Sequence, residues 1–235
     1  MKLDILAFGA HPDDVELSCS GTILKHISLG KKVGIIDLTQ GELGTRGSVA
    51  IRLKESTRSA KLLGVSFREN LKMADGFFQN DKRNQLAVIK KIRQYKPEIV
   101  FANALEDRHP DHGRAANLIA DACFLSGLVK IPTAINGKKQ EAWRPKAVYH
   151  YIQYRKLKAD YAVDISEFMD RKMQAIKAFD SQFHNPKSKE PATLISDPEF
   201  FAYILKRESE YGKMLNVEYA EGYNVMDEYK GKALI

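Results

Sequence analysis

His11-Pro12-Asp13-Asp14 and His109-Pro110-Asp111-His112 each set titratable groups three residues apart, and the two motifs lie far from one another in the chain. Imidazole nitrogens and carboxylate oxygens are the ligands that zinc and similar divalent metals take. His11 and Asp14 can direct one of each toward a single point, and a third ligand must then come from elsewhere. His109 and His112 supply it. Two histidines and one carboxylate leave an open position on a zinc ion, the mark of a catalytic centre, whereas a structural zinc is closed by four protein ligands. Iron(II) or another divalent metal suits the same donors. Such a metal lowers the pKa of its bound water and polarises a carbonyl oxygen, and a nearby carboxylate that is not a ligand can take the water's proton. Asp13 is the candidate. One histidine of the second motif then binds metal, while the other, protonated, stabilises an oxyanion or protonates a leaving amine. Spacing leaves open which does which. A competing reading has His11 and Asp14 merely capping a helix, the acids answering its N-terminal dipole. Two such motifs, each at a strand end, are harder to explain that way.

The motifs need a scaffold that brings them together. Leu3 to Gly9, Val33 to Leu38 and Glu98 to Asn103 are short apolar runs that read as buried parallel strands. Helical patterns alternate with them: Val15 to Leu29 stopped by Gly30, Ile51 to Leu63 stopped by Gly64, and Lys82 to Tyr95 stopped before Pro97. This alternation predicts an α/β fold, a Rossmann-like, mostly parallel sheet with helices on both faces, whose ligands gather beyond the carboxyl ends of the strands. Both motifs follow predicted strands and so fall on that rim. Ala147 to Tyr154 and Tyr161 to Ile165 are strand-like. Asp164 to Glu167 reads as a capping box opening a helix, and Asp197-Pro198-Glu199 as the start of a last one. With no repeat, low-complexity tract or long linker, residues 1–235 read as a single domain, the last third packing on the sheet as a lid or wall.

Composition narrows the class. Hydrophobic residues at 44% and charged residues at 29% suit an ordinary globular protein. No apolar run approaches the roughly 20 residues that span a bilayer, and no signal peptide is evident, so no membrane association is expected. Cys19 and Cys123 fall in apolar helical stretches and read as buried free thiols of a cytoplasmic protein. The net charge of +7 is dispersed among 30 acids, which argues against nucleic acid as a partner and suits a small substrate bearing carboxylates.

Gly9-Ala10-His11-Pro12-Asp13-Asp14-Val15-Glu16 and Asp107-Arg108-His109-Pro110-Asp111-His112-Gly113 resemble the two signatures of LmbE-like, PIG-L-type zinc deacetylases. Asp37-Leu38-Thr39, Gly47, the segment Ile51 to Glu55, Ser181-Gln182-Phe183 and Glu218 to Gly222 resemble the branch that deacetylates N-acetylglucosaminyl malate in bacillithiol biosynthesis, so the likeness covers nearly the whole chain. It implies that His11, Asp14 and His112 bind zinc, that Asp13 is the general base, and that His109 is the cationic group facing the oxyanion, oriented and kept protonated by Asp111. The implied reaction is attack of zinc-bound water on the acetamide of a small amino-sugar conjugate, giving acetate and a free amine. The resemblance also implies a homo-oligomer, often a hexamer.

Arg52 and Arg108 fit the substrate side of that reading, because a guanidinium holds a carboxylate such as malate's in two parallel hydrogen bonds. Against this, Arg52 can pair with Glu55 on its own helix and Arg108 with Asp107. The family offers a tyrosine hydroxyl from the late helix region; here Phe200 and Phe201 stand in that neighbourhood, leaving Tyr203 or His184 as substitutes. His26 and His150 read as structural or surface histidines. Gly41-Glu42-Leu43-Gly44-Thr45-Arg46-Gly47 lacks the endings of a phosphate-binding loop and reads as a flexible active-site loop able to close over a sugar. Two alternatives remain: a hydrolase acting on another N-acetylglucosamine conjugate or a chito-oligosaccharide, and a non-catalytic ligand-binding protein. The second needs no metal and tolerates loss of Asp13.

Overall fold

A computed structural model describes residues 1–226. The first three strands, β1 (Ile5–Gly9), β2 (Val33–Thr39) and β3 (Phe67–Met73), are joined by helices α1 (Asp14–Ser28) and α2 (Val49–Leu63). Helix α3 (Lys82–Tyr95) then leads to β4 (Ile99–Ala102), which is followed by α4 (Pro110–Ser126). A two-residue hairpin, β5 (Ala134–Ile135) with β6 (Lys138–Lys139), precedes β7 (Ala147–Tyr151) and β8 (Tyr161–Asp164). Helices α5 (Met169–Lys177) and α6 (Phe200–Gly212) and strand β9 (Ala220–Asn224) complete the described chain.

Seven strands form one sheet in the order β3-β2-β1-β4-β7-β9-β8. Pairings from β3 to β7 are parallel, and β9 inserts antiparallel between β7 and β8. The expected α/β architecture is therefore present. Burial explains the apolar runs: β1, β2 and β7 are buried along their whole length, covered by helices that form two groups, α1 with α2 and α5, and α3 with α4. A hydrophobic cluster runs through both layers, with Phe8, Phe101, Tyr149, Tyr151 and Tyr223 among its largest fully buried side chains. From β1 the chain winds outward through β2 to β3, and from β4 it winds the other way to β7. The crevice where that direction reverses lies beyond Gly9 and Ala102, the position at which doubly wound sheets bind ligands.

Some boundaries differ from expectation. Strand β3, Phe-Arg-Glu-Asn-Leu-Lys-Met, escapes a periodicity reading because it lies at the sheet edge and most of it is only half-buried. Asp164 does not open a capping box: its carboxylate accepts from Ser166 N and Oγ, folding a short 3-10 turn (Ser166–Phe168), and α5 starts after it. The last helix begins at Phe200, with Asp197 accepting from Glu199 N one turn earlier. Among the described residues no helix is long and apolar enough to cross a membrane. Cys19 and Cys123 are buried free thiols.

Candidate active site

Strand β1 ends at Gly9, and the chain turns sharply into α1. Asp13 occupies the N-cap position but makes no capping bond, and its backbone stands at φ 126°, a region costly for any residue with a side chain. The strain aims the carboxylate into a cavity instead of along the helix. Asp14 turns back to accept from His11 N at 2.9 Å. On the neighbouring strand end, His109 caps α4 with Pro110 in its first turn, and His112 stands one turn along. The two motifs thus face each other across the crevice, with ring centroids of His11 4.7 Å from His109 and 5.6 Å from His112.

Asp14 is the hub. Its Oδ2 lies 3.7 Å from His11 Nδ1, and its Oδ1 lies 3.2 Å from His112 Nε2. Two ligands on a tetrahedral ion with bonds of about 2.1 Å are roughly 3.4 Å apart, so these spacings suit a shared cation. Nitrogen atoms of His11, His109 and His112 also all lie within 4.8 Å of one another, as do ligand atoms of His11, Asp75 and Asp111. The acids of the latter set are already engaged: Asp75 accepts from Leu43 N, and Asp111 from Gly76 N and Arg114. They lie behind His11, whereas Asp13, Asp14, His109 and His112 line the cavity.

Each candidate ligand is held from behind: Asp75, Asn103 and Gln153 were not expected in the site, whereas Asp111, expected to orient His109, and Asp107, expected only as a partner for Arg108, turn out to back His11 and His112. His11 Nε2 sits 2.9 Å from Asp75 Oδ1 and 3.3 Å from Asp111 Oδ2; His112 Nδ1 sits 2.6 Å from Asp107 Oδ2. Such carboxylate–histidine pairs orient an imidazole toward a metal and raise its basicity. Asp14 is clamped by two amides, Asn103 Nδ2 at 2.9 Å on Oδ2 and Gln153 Nε2 at 3.0 Å on Oδ1, which bond to each other as well. Asn103 Oδ1 accepts from Ala10 N, tying the ends of β1 and β4 together. Asn103 follows β4 directly and Gln153 lies two residues beyond β7, and that position is the only signal that marks them in the sequence.

The charges around this cluster favour a cation. Burial opposes charge on His11, but Asp111, Asp75 and Asp14 outweigh it and lift the imidazole to about 10. His112 is likewise lifted to about 9 against its burial by Asp14 and Asp107. Burial works against ionised Asp14, yet His112 and His11 hold it far below the usual carboxylate range. The donor set therefore carries an excess of negative charge that either protons or a divalent ion can satisfy.

Asp13 behaves differently. Burial pushes its carboxyl up to about 7, with the nearby guanidinium of Arg52 acting in the opposite direction. Arg52 Nη2 is 3.1 Å from Asp13 Oδ2 and 2.5 Å from Gln182 Oε1. Arg52 is therefore not paired with Glu55, which bonds Ser181 instead, and it is already occupied by the carboxylate of Asp13. Arg108 also departs from its alternative pairing. It is exposed at the cavity wall, 5.5 Å over the ring of Tyr154, and makes no ion pair among the described residues.

Asp111 meets His109 through its backbone: its N–H donates to His109 Nδ1 at 3.2 Å, while its carboxylate turns to His11, Gly76 and Arg114. An accepting Nδ1 places the ring proton on Nε2. Burial and the neighbouring His11 and His112 lower the pKa of His109, with Asp14 and Asp111 opposing them. These influences act against the cationic His109 that the resemblance implies, and the contact at Nδ1 leaves its Nε2 to donate. Tyr203 lines the cavity but spends its hydroxyl on Tyr154 O, and His184 is exposed outside it. His150 is fully buried, bonded to Asn103 O. The cavity, about 120 Å³, is also lined by Leu17, Ile195, Phe200 and Arg207.

Comparison with known proteins agrees with this geometry. Residues 6–123, a span that contains both motifs, match the PIG-L family model, described as GlcNAc-PI de-N-acetylase. The chain belongs to the PIG-L family. As a member it is an enzyme of the deacetylase type. It is 30% identical over 93% of its length to diacetylchitobiose deacetylase of Thermococcus kodakarensis, covering 81% of that protein. It is 27% identical to a probable N-acetyl-alpha-D-glucosaminyl L-malate deacetylase 2 of Bacillus anthracis, covering 92% of this chain and 91% of that one. Among solved structures, a conserved protein from Thermus thermophilus superimposes with a TM-score of 0.86 at 32% identity, over 99% of this chain and 98% of the other.

Proposed function

We propose that this PIG-L enzyme hydrolyses the acetamide of an N-acetylglucosaminyl conjugate, N-acetylglucosaminyl malate in particular, to acetate and the free amine. The observation that carries the reading is Asp13: a buried carboxylate, held out of the donor cluster by a strained backbone and pushed up to about 7, beside a set of histidines and a carboxylate suited to a divalent ion. A binding protein has no need of such a group. Zinc or iron(II) held by His11, Asp14 and His112 would supply Lewis acidity toward the acetamide carbonyl and acidify a water.

The chain's own residues do the rest. A carboxylate with a pKa near neutrality both accepts a proton readily and returns it, so Asp13 takes the proton of the attacking water and hands it to the leaving nitrogen. Arg52 keeps that carboxylate aimed into the cavity. His109, with its proton on Nε2, donates to the oxygen on which charge develops. Arg108, exposed at the wall with no carboxylate partner among the described residues, offers its fork to a malate carboxylate. The likeness to diacetylchitobiose deacetylase over 93% of the chain favours a second reading, in which the conjugate is an acetylated chito-disaccharide.

Zinc-loaded protein incubated in parallel with N-acetylglucosaminyl malate, diacetylchitobiose and N-acetylglucosamine, with free amine and acetate both followed, tests the proposal. Stoichiometric release from the malate conjugate in preference to the others is expected, together with a loss of about 100-fold or more in kcat for Asp13→Asn. Turnover of none of the three would sink the reading, and preference for the disaccharide would transfer it to the second aglycone.

A further inference from the structure

The glycine-containing segment 41–47 between β2 and α2 is fastened at several points, unlike a freely closing flap. On one side, Leu43 N donates to Asp75 Oδ2 at 2.9 Å, and the other oxygen of Asp75 lies 2.9 Å from His11 Nε2. Glu42 completes this side by accepting from Asp75 N. On the other side, Arg46 O accepts from Gln182 Nε2 at 2.8 Å, and Gln182 Oε1 receives the same Arg52 Nη2 that reaches Asp13. Arg46 Nε also donates to Ser181 O at 2.8 Å, and Gly47 N to Glu190 Oε1 at 2.9 Å. Only residues 42–45 between these anchors are exposed.

Gly41 sits where the two sides meet. Its φ is +65°, and a Cβ built on it would lie 1.7 Å from Arg52 Nη1, inside any permissible contact. The Arg52 guanidinium can lie across the backbone there, and so reach Asp13, only because position 41 has no side chain.

We propose that segment 41–47 is a positioning strap that sets His11, through Asp75, and Asp13, through Arg52 and Gln182, in fixed relation to each other. Asp75, Gly41 and Gln182 are positioning residues. Binding of a cation at His11 then tightens the segment around Leu43, and by linkage the fastened segment tightens cation binding. The Asp13 half of the inference rests on the proposed deacetylase reading; the His11 half does not.

Two measurements test the halves separately. In the first, Zn2+ is titrated against a competing chromophoric chelator, and hydrogen exchange at the Leu43 amide is followed with and without Zn2+. Asp75→Ala, or Asp75→Asn should the alanine variant fail to fold, is expected to weaken Zn2+ binding about 10- to 100-fold. Zn2+ should slow Leu43 exchange in the wild type and leave it unchanged in the variant. Unaltered Zn2+ affinity, or equal slowing in both proteins, overturns the strap. In the second, kcat and KM of Gly41→Ala, Arg52→Ala and the double variant are compared on the best of the three sugar substrates. Each single change should cost about 100-fold in kcat through misplacement of Asp13. The double variant should fall within about two-fold of Arg52→Ala, because Gly41 acts through that side chain. Losses that multiply would mean that Gly41 serves the backbone alone, and would overturn that half. Absence of turnover on every sugar falls on the deacetylase reading, and the zinc and exchange data still decide the strap.

Discussion

Replacing Asn103 with leucine keeps the branched shape of a buried side chain and removes three hydrogen bonds at the point where β1 and β4 meet. Asp14 Oδ2 loses the amide donor at 2.9 Å, Gln153 Oε1 loses the partner at 2.8 Å that steadies it against Asp14 Oδ1, and Ala10 N loses its acceptor at 2.9 Å. A hydrogen bond to a charged group is worth about 1.5–3 kcal/mol net, on the order of 10- to 100-fold in an equilibrium constant. Outer partners of metal ligands, removed singly, cost about the same 10- to 100-fold in affinity. Because His11, His112 and the bond from His11 N to Asp14 remain, the loss should be partial. Competition titration with Zn2+ reads it directly, and a thermal melt separates it from unfolding. The orphaned Ala10 N–H, worth about 1–3 kcal/mol, should lower Tm by about 2–4 °C per kcal/mol in a chain of this size. A folded Asn103→Leu protein that binds Zn2+ within about two-fold of the wild type would refute the clamp.

Other consequences follow from groups outside the hub. Loading with Zn2+ must displace the protons that His11 and His112 hold with pKa values of about 10 and about 9, so affinity should fall as pH falls below that range and protons should appear in a weakly buffered titration; pH-independent affinity would contradict the assignment. His150 is fully buried, and burial depresses it to about 4 from an unfolded value near 6.5, so the folded state holds it neutral. Its stabilising contribution, about 3 kcal/mol, is complete above pH ~6.5 and is lost as pH falls toward about 4; urea midpoints across that window should flatten in His150→Gln, and an unchanged slope would count against it. Lys172, with no exposed surface, bonds Glu208 at 2.7 Å and Glu221 at 2.5 Å. Lys172→Met leaves Glu208 to Arg207 alone and Glu221 to the amides of Gly21 and Thr22 and the Tyr223 hydroxyl, without the ammonium that the two buried carboxylates share, and should cost about 3–5 kcal/mol, seen as a lowered Tm; a change under about 1 kcal/mol would show the cluster to be dispensable.

Residues that carry their own signal were legible in the sequence. Apolar runs announced β1, β2, β4 and β7, and the alternation with helices announced the sheet type. His11, Asp13, Asp14, His109 and His112 stood out because histidine and aspartate at three-residue spacing after a strand are rarely accidental. The groups behind them were not legible, since their role is made by tertiary contact. Asp75 lies 64 residues from His11 and Gln153 lies 139 residues from Asp14, with no local pattern to flag either. Strand β3 escaped for the opposite reason: its alternating charges suit a half-buried edge and mask the apolar period. Arg52 was marked as a substrate ligand because a guanidinium pairs with any carboxylate, and sequence cannot say that the carboxylate is Asp13.

The central claim is that the ends of β1 and β4 jointly hold one divalent ion beside a free carboxylate. An anomalous difference map from crystals of Zn2+-loaded protein tests it most directly. One peak is expected at about 2.0–2.2 Å from an atom of each of His11, Asp14 and His112, with Asp13 outside the coordination sphere. A peak held instead by His11, Asp75 and Asp111, or no peak between the two motifs, would contradict it.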